Sequence, residues 1–265
     1  MKQRSVAIGV ISIALFALIT PGIALFIPSS QPDFATDDLV ELNVLAASSL
    51  SRAFTEVAQA FSTANTDISV TFSFAGSSTL AEQVRAGAPM DVVALADQVN
   101  MLKLASSEKI LTSSLHTFAR NRLAIITATD NPRGITSLND LTKPDLTVVL
   151  CDSSQPCGRY ADDILNRAGL SVSAASRESS IAGVLSRIRT GEADSGIGYA
   201  SDALTDTRLS AIDIPDSQNV VAEYPIAIAS QPSSNNRSAA ERFVNFVLSP
   251  AGQDILNNAG FIRAS

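Results

Sequence analysis

The chain has 265 residues, of which 46% are hydrophobic, 17% charged and 5% aromatic, and it contains no tryptophan. This length is sufficient for one large domain or for two domains of about a hundred residues each. The formal net charge of −7 argues against a nucleic-acid partner, and the small number of aromatic side chains argues against a broad stacking surface for sugars or bases.

The N-terminal segment has the pattern of a targeting signal. Lys2 and Arg4 precede a mostly apolar run over residues 6–27, which is the order found in secretory signal peptides. The run is also long enough to span a bilayer, so a retained membrane anchor is the alternative for residues 1–27. Residues 28–41 are predicted to form a flexible tether. In either case we expect the rest of the chain to be extracytoplasmic, in a periplasm or at the cell surface.

The body begins with a strand, a serine turn and a helix. Residues 42–46 are strand-like, Ser48 and Ser49 belong to a turn of small residues, and the next segment has apolar side chains on one helical face. These side chains are Leu50, Phe54, Val57, Ala58 and Phe61. A serine at such a junction can cap the helix. The same junction has free N–H groups and the positive end of the helix dipole, which can hold an anion.

Strand-like and helical segments continue to alternate along the chain. Further strands are predicted at residues 68–74, 91–95, 122–127, 146–150, 195–199 and 223–229, and two C-terminal helices at residues 238–248 and 250–258. The alternation predicts an α/β fold with a largely parallel sheet, whose ligands lie beyond the carboxyl ends of the strands. The apolar runs at 122–127 and 223–229 are candidates for crossovers between two lobes.

The only two cysteines, Cys151 and Cys157, are six positions apart. In an oxidising compartment such a pair can form a disulfide that closes a short loop. Two free thiols are the alternative, and the sequence leaves both open.

No arrangement of residues in the sequence is typical of an active site. The only histidine, His116, has no Gly-x-Ser-x-Gly element nearby and is predicted to be a surface or capping residue. No group of His, Cys and acidic residues has metal-ligand spacing, and no glycine-rich phosphate loop is followed by lysine. We therefore expect a protein that is not an enzyme and that needs no cofactor.

Oxyanion binding, in contrast, needs only what the serine turns supply. Backbone N–H groups at helix N-termini and hydroxyl groups can hold a tetrahedral dianion without lysine or arginine. A pocket of donors alone disfavours a protonated phosphate, because the phosphate O–H then lacks an acceptor, at a cost of about 1–3 kcal/mol. The residues therefore favour molybdate, tungstate or sulfate over phosphate.

Six ordered motifs resemble those of the extracytoplasmic molybdate-binding proteins of ABC transporters. They span residues 42–262 and are Ala46-Ala47-Ser48-Ser49-Leu50, Phe74-Ala75-Gly76-Ser77-Ser78-Thr79-Leu80-Ala81, Gly87-Ala88-Pro89-Met90-Asp91-Val92 with Ala96-Asp97, Pro156-Cys157-Gly158-Arg159-Tyr160-Ala161, Gly196-Ile197-Gly198-Tyr199-Ala200-Ser201-Asp202-Ala203 and Glu223-Tyr224-Pro225-Ile226. The resemblance implies the two-lobed periplasmic-binding-protein type II fold, in which each lobe is a mostly parallel sheet flanked by helices. We expect lobe 1 to comprise residues 42–121 and 226–265, and lobe 2 to comprise residues 122–225.

The resemblance also implies the ligand contacts. Ser49 and Ser77 would contribute hydroxyl and N–H groups, Cys157 and Ile181 backbone N–H groups, and Tyr199 its phenolic O–H. A shift of one position would transfer the serine roles to Ser48 and Ser78. Cys157 departs from the family, which more often has a small apolar residue there, but a backbone donor tolerates that exchange. Molybdenum is expected only within the bound oxyanion, with no direct protein–metal ligand.

The function implied is that of a solute-binding protein. It would capture molybdate, and tungstate as well, and deliver it as a monomer to the membrane permease of an ABC importer. The sequence does not rank these two anions. The alternatives are a receptor for another oxyanion such as sulfate, and a surface-anchored sensor or interaction module on the same fold.

Overall fold

The computed structural model describes residues 39–204, 206–233 and 237–264, so the predicted signal or anchor segment of residues 1–27 lies outside it. Ten strands occur in this part of the chain: β1 (Val40–Ala47), β2 (Ile68–Ala75), β3 (Val92–Ala94), β4 (His116–Ala128), β5 (Val148–Cys151), β6 (Ser176–Glu178), β7 (Ser195–Tyr199), β8 (Leu209–Asp213), β9 (Val221–Ile228) and β10 (Ile262–Arg263). Because β1 begins at Val40, the last two residues of the predicted tether, 28–41, belong to a strand.

Eight α-helices lie between and after the strands of the described ranges. They are α1 (Ser51–Ala64), α2 (Ser77–Arg85), α3 (Gln98–Ser106), α4 (Pro156–Ala168), α5 (Ile181–Arg189), α6 (Ala200–Leu204), α7 (Arg237–Leu248) and α8 (Pro250–Asn258). A short 3₁₀ turn, Ser48–Leu50, connects β1 to α1. Within the residues described, none of the helices is both long and apolar enough to cross a membrane.

The strands form one hydrogen-bonded path in the order β2-β1-β3-β9-β4-β7-β5-β6, with β8 and β10 also paired to β4. The pairs β1–β2, β1–β3, β5–β6 and β5–β7 are parallel, as βαβ connections require. The antiparallel pairs all involve β4 or β9. The sheet is therefore mixed rather than largely parallel, and its antiparallel pairs lie where the two predicted crossover runs pass through it.

Strand β4 changes partners along its length. Residues 116–122 pair with β9, whereas residues 123–128 pair with β7 and β8. We call β1, β2, β3 and their helices α1 to α3 the first half, and β5 to β8 with α4 to α6 the second half. The hydrogen bonds of the sheet are continuous from one half to the other through β4.

The sequence pattern located β4 only in part. Its apolar residues were predicted as a strand at 122–127, but the strand begins at His116, whose side chain is exposed as expected. Strands β6, β8 and β10 were not predicted. Both residues of β10 are exposed and β6 contains no apolar residue, so neither carries the hydrophobic signal from which strands are recognised.

Helix α1 covers the first half with a cluster of phenylalanine rings. The ring of Phe54 lies 6.0 Å from that of Phe72, 5.5 Å from that of Phe118 and 6.2 Å from that of Phe243. These four residues come from α1, β2, β4 and α7, so one side chain joins four elements. Because α1 directly follows the serine turn, this cluster also holds that turn in place.

We predict that Phe54→Ala lowers the free energy of unfolding by about 3–5 kcal/mol, since it removes a fully buried ring. Phe74→Ala is the matched control. Phe74 stacks on Phe72 at 5.1 Å but is 36% exposed, so we expect a loss of about 1 kcal/mol or less. Chemical denaturation measures both, and equal losses would contradict this account of the core.

Candidate functional site

Four junctions between strands and helices converge on one cavity. The junctions are the turn before α1 and the N-termini of α2, α4 and α5. All five predicted contact residues line the cavity, whose lining comprises Ala47, Ser48, Ser49, Ala75, Gly76, Ser77, Ala96, Gln155, Pro156, Cys157, Ile181 and Tyr199. The cavity is small, with a volume of about 10 Å³. The cavity therefore suits a small ligand.

The helix N-termini present backbone donors to this cavity. The first N–H groups of a helix have no acceptor within it, and they belong here to Ser77, Cys157 and Ile181. The N-cap residues of these helices are Gly76, Gln155 and Ser180. None of them has a side chain that accepts a hydrogen bond from an N–H group of its own helix. Helices α1 and α3 also lack a side-chain cap, whereas α8 has one.

Helix α8 shows what the site helices lack. At its N-terminus the hydroxyl oxygen of Ser249 accepts a hydrogen bond from the N–H of Gly252 at 3.3 Å. The site serines do not occupy this position. Ser77 is the first residue of α2 and Gly76 is the N-cap, so the hydroxyl of Ser77 is not used to cap its own helix.

The hydroxyls of the two predicted serine contacts each have a hydrogen-bond partner within the protein. The hydroxyl oxygen of Ser77 accepts a hydrogen bond from the N–H of Ala96 at 3.0 Å. The hydroxyl of Ser49 lies 3.1 Å from that of Tyr224. Ser48 lines the same cavity as Ser49. Ser78 lies outside this lining, and its hydroxyl donates to the carbonyl oxygen of Ser154 at 2.5 Å.

Tyr199 reaches the cavity from the C-terminal end of β7. Its ring is only 1% exposed and lies 5.8 Å from the ring of Tyr224. Burial raises the pKa of the Tyr199 phenol well above its ordinary value, and the nearby Tyr224 raises it further. The phenol is therefore neutral at physiological pH and keeps its proton as a donor.

Cys151 and Cys157 are joined by a disulfide, with their Cα atoms 5.7 Å apart. Of the two alternatives that the sequence left open, the structure has the bonded one. The disulfide ties the end of β5 to the first turn of α4. Gly158 is required beside it, because a Cβ atom at this position would lie 2.0 Å from the carbonyl oxygen of Asp152.

Gln155 connects the loop before α4 to the start of α2. Its Oε1 atom accepts a hydrogen bond from the N–H of Ser78 at 3.2 Å, and its Nε2 atom donates to the hydroxyl of Thr79 at 3.1 Å. Both ends of the amide are thus engaged with the other half of the sheet. This residue was not predicted as part of the site, although its place directly before the helix-starting Pro156 was a usable signal.

Arg159, two residues after Cys157 in α4, does not line the cavity. The guanidinium of Arg159 pairs with the carboxylate of Asp97 and donates to the carbonyl oxygen of Ser154 at 2.6 Å. Burial raises the pKa of Asp97, and Arg159 opposes that effect. The lining residues that the structure describes include no charged side chain. Within the same ranges, no cluster of three or more His, Cys, Asp or Glu could hold a metal ion.

Asp202, on α6, supports Tyr199 and gives a pH-dependent prediction. Its carboxylate accepts a hydrogen bond from the N–H of Tyr199 at 3.0 Å. Burial raises the pKa of Asp202 to about 7, although the N–H of Tyr199 and the charge of Arg189 lower it. In the unfolded chain the value is near 3.8. Between these values the folded state binds more protons than the unfolded state, so this group makes stability fall as the pH rises.

We therefore predict that Asp202→Asn is more stable than the unchanged protein at about pH 8, with a difference that shrinks toward about pH 4. The asparagine has nearly the same size and can still accept from the N–H of Tyr199. Melting temperatures measured without ligand across this range provide the test. A difference that stays the same at every pH would show that the ionisation of Asp202 is not its cause.

The disulfide gives a second prediction. Replacing both Cys151 and Cys157 by alanine should lower the free energy of unfolding by about 2 kcal/mol, the loop-closure value for so short a loop. Denaturation with and without reductant measures this, and only the unchanged protein should respond to reductant. Two thiols that can be alkylated in the native protein without reductant would contradict the prediction.

Comparison with known proteins places this geometry in a family. Residues 42–262 match the family model of bacterial extracellular solute-binding proteins. The molybdate-binding protein ModA of Mycobacterium tuberculosis (strain ATCC 25618 / H37Rv) is 38% identical over 237 residues, which cover 89% of this chain and 90% of that protein. The predicted resemblance is thereby confirmed.

Solved structures show the same fold. The periplasmic molybdate-binding protein of Azotobacter vinelandii superimposes with a TM-score of 0.75 at 20% identity, covering 84% of this chain and 100% of that one. The sulfate-binding protein SubI of Mycobacterium tuberculosis H37Rv gives a TM-score of 0.74 at 16% identity, covering 85% and 88%. The predicted two-lobed periplasmic-binding-protein fold is confirmed, with the mixed sheet described above. This chain belongs to the family of bacterial extracellular solute-binding proteins.

Proposed function

We propose that this protein captures molybdate, and tungstate as well, outside the membrane and delivers it to the permease of an ABC importer. The observation that carries the proposal is the cavity. Five residues that the family resemblance implied as ligand contacts line one small space, and they carry neutral hydrogen-bond donors. A relative that is 38% identical and named a molybdate-binding protein supports this choice of anion.

Neutral donors can hold a dianion in this cavity for a definite physical reason. Buried hydrogen bonds to a charged acceptor are stronger than those between neutral groups, and helix N-termini add the positive ends of their dipoles. The ligand needs no resident cofactor and undergoes no reaction, so the protein is not an enzyme. The metal is present only inside the oxyanion.

The contacts come from both halves of the molecule. Ser49 and Ser77 belong to the first half, and Cys157, Ile181 and Tyr199 to the second. If the lobes are 42–121 with 226–265 and 122–225, as the sequence predicts, only the closed arrangement offers all donors at once. A bound anion then favours closure, because it binds that state better. The change of partners along β4 after residue 122 supports this boundary.

The cellular setting follows from the same function. A solute receptor works outside the membrane, either as a secreted monomer after cleavage of residues 1–27 or tethered by them as an anchor. Its partners are the small oxyanion and the membrane permease, with no nucleic acid. Mass spectrometry of the mature N-terminus would distinguish the two forms.

Isothermal titration calorimetry with molybdate, tungstate, sulfate and phosphate tests the proposal. We expect tight binding of molybdate and tungstate, weaker binding of sulfate and still weaker binding of phosphate. Tighter binding of sulfate than of molybdate would identify a sulfate receptor instead. No response to any of the four anions would favour a sensor or interaction module.

We predict that Ser49→Ala, Ser77→Ala and Tyr199→Phe each weaken molybdate binding about ten- to a hundredfold, because each removes one donor to a charged ligand. Ser249→Ala is the matched control. It removes a serine at a helix N-terminus remote from the cavity, so it should cost about 1 kcal/mol of stability and leave the affinity unchanged.

Arg159→Ala tests the alternative that a cation holds the anion. Its guanidinium is committed to Asp97 and Ser154, so we assign it no direct contact with the anion. Loss of Arg159 leaves the buried Asp97 without its cation, and a lower melting temperature should accompany any change in affinity. If Arg159→Ala abolished binding while the three donor variants kept it, the neutral-donor proposal would be wrong.

A further inference from the structure

Gly76 lines the cavity and is the N-cap residue of α2. Glycine is often found where the backbone has a positive φ angle that side chains disfavour. At Gly76 the angles are φ −64° and ψ 140°, which any residue with a side chain adopts without strain. The backbone conformation therefore does not require a glycine at this position.

The space around Gly76 does require one. A Cβ atom here would lie 2.4 Å from the carbonyl oxygen of Ser179, and 2.3 Å and 2.6 Å from the Oε1 and Cδ atoms of Gln155. The favourable separation of two non-bonded carbon atoms is about 3.5–4.0 Å. A methyl group thus has no room between Gly76 and these two neighbours.

The two obstacles are held in place. The Ser179 oxygen belongs to the backbone directly before Ser180, the N-cap residue of α5. The Gln155 amide is held at both ends by α2, because its Oε1 atom accepts from the N–H of Ser78 at 3.2 Å and its Nε2 atom donates to the hydroxyl of Thr79 at 3.1 Å. A larger N-cap residue on α2 can therefore be accommodated only if the segments themselves move apart.

Three helix N-termini meet at this contact. Gly76 is the N-cap residue of α2, Gln155 is that of α4, and Ser179 directly precedes that of α5. Helix α2 belongs to the first half, and α4 and α5 belong to the second. One or two residues beyond the three contact points are the backbone donors assigned to the anion, which are Ser77, Cys157 and Ile181.

Neighbouring contacts draw the same segments together. The hydroxyl of Ser78 donates to the carbonyl oxygen of Ser154 at 2.5 Å, and the carboxylate of Asp97 pairs with Arg159. The hydroxyl of Tyr160 donates to a carbonyl oxygen of the first half, that of Ala96, at 3.3 Å. These are attractive contacts between the halves. The contact at Gly76 is the one at which their approach stops.

We propose that Gly76 is a specificity-determining residue, which sets the spacing of the three helix N-termini and thereby selects the anion by size. The inference rests on the proposed function and deepens it. Donor–acceptor distances in hydrogen bonds lie within about 2.7–3.2 Å, so a wider spacing removes contacts to a small tetrahedron first. Sulfate is the smallest of the candidate anions, selenate is intermediate, and molybdate and tungstate are larger and nearly equal.

Gly76→Ala tests the proposal, because its methyl group holds the halves apart at the contact. Calorimetry, with competition against molybdate for the weaker ligands, compares the four anions. We expect molybdate affinity to fall about three- to tenfold. Tungstate should follow molybdate, selenate should lose more, and sulfate should lose most, severalfold beyond molybdate. A general defect in folding would weaken all four anions alike.

Gln155→Ala is a second variant, and it adds no atom. It removes the two hydrogen bonds that hold α2 against the start of α4, so the spacing is less firmly held. The order of losses should be the same, with smaller differences between the anions.

Gly183→Ala is the matched control. Gly183 lies on α5, and a Cβ atom there would meet only the side chain of Glu178, at 3.0 Å and within the same half. The exchange of glycine for alanine is the same, but it does not separate the halves. We expect the ratios of the four affinities to change less than about twofold. Melting temperatures of the ligand-free variants show whether each is folded.

Three results for a folded Gly76→Ala would overturn the inference. They are unchanged affinities, an equal loss for sulfate and molybdate, and complete loss of molybdate, since selection by size requires that the larger anion is still held. If Gly76→Ala does not fold, the same comparison in Gln155→Ala decides. In each of these cases the unchanged protein still binds molybdate, so the proposed function survives. If the unchanged protein binds no oxyanion, both the proposed function and this inference fail.

Discussion

The orphan N–H groups at helix N-termini are the constraint on which the site depends. Every helix leaves such donors unpaired, and a protein must pair them with a cap, water or a ligand. In α8 the hydroxyl of Ser249 performs this task. In α2, α4 and α5 the N-cap side chains do not, and these three N-termini meet at one cavity. The serine that follows Gly76 is thereby released from capping and joins the backbone donors at the cavity.

No charged side chain is among the described residues that line the cavity. The chain is acidic overall, with a net charge of −7, so an anion gains nothing from the general field of the protein. Arg159, a cation in the first part of α4, is paired with Asp97, and this pair joins the two halves. The disulfide between Cys151 and Cys157 fixes the first turn of α4, and the absence of a side chain at Gly158 lets that turn pack closely against Asp152. What remains facing the cavity is a set of neutral donors with fixed positions.

Much of this arrangement could be predicted from the sequence, for identifiable reasons. Strict apolar–polar alternation located β2. The apolar side chains of Leu50, Phe54, Val57 and Phe61 at helical spacing located α1, and the structure buries all four of them. The family resemblance implied five contact residues, and the fold brings all five to one cavity. Lobe boundaries and ligand contacts remain predictions.

Other features carried no local signal. The antiparallel crossings of β4 and β9 depend on partners about a hundred residues apart, which periodicity does not reveal. Tyr224 was missed as a part of the site for a similar reason, because it touches the site through the side chain of Ser49, on a distant segment. Gln155 was missed although it lines the cavity itself and its amide oxygen accepts from the backbone N–H of Ser78. Sequence motifs identified groups that face the cavity and not the groups that orient them.

The two crossover strands have a role beyond linking the halves of the sheet. Asn121 lies on β4 next to the point where that strand changes partners, and it is opposite Ala222 of β9. Tyr224, two residues farther along β9, reaches Ser49 in the first half, and Asn121 reaches Ser201 in the second. The strands that carry the sheet from one half to the other therefore also supply side chains that contact Ser49 in the first half and Ser201 in the second.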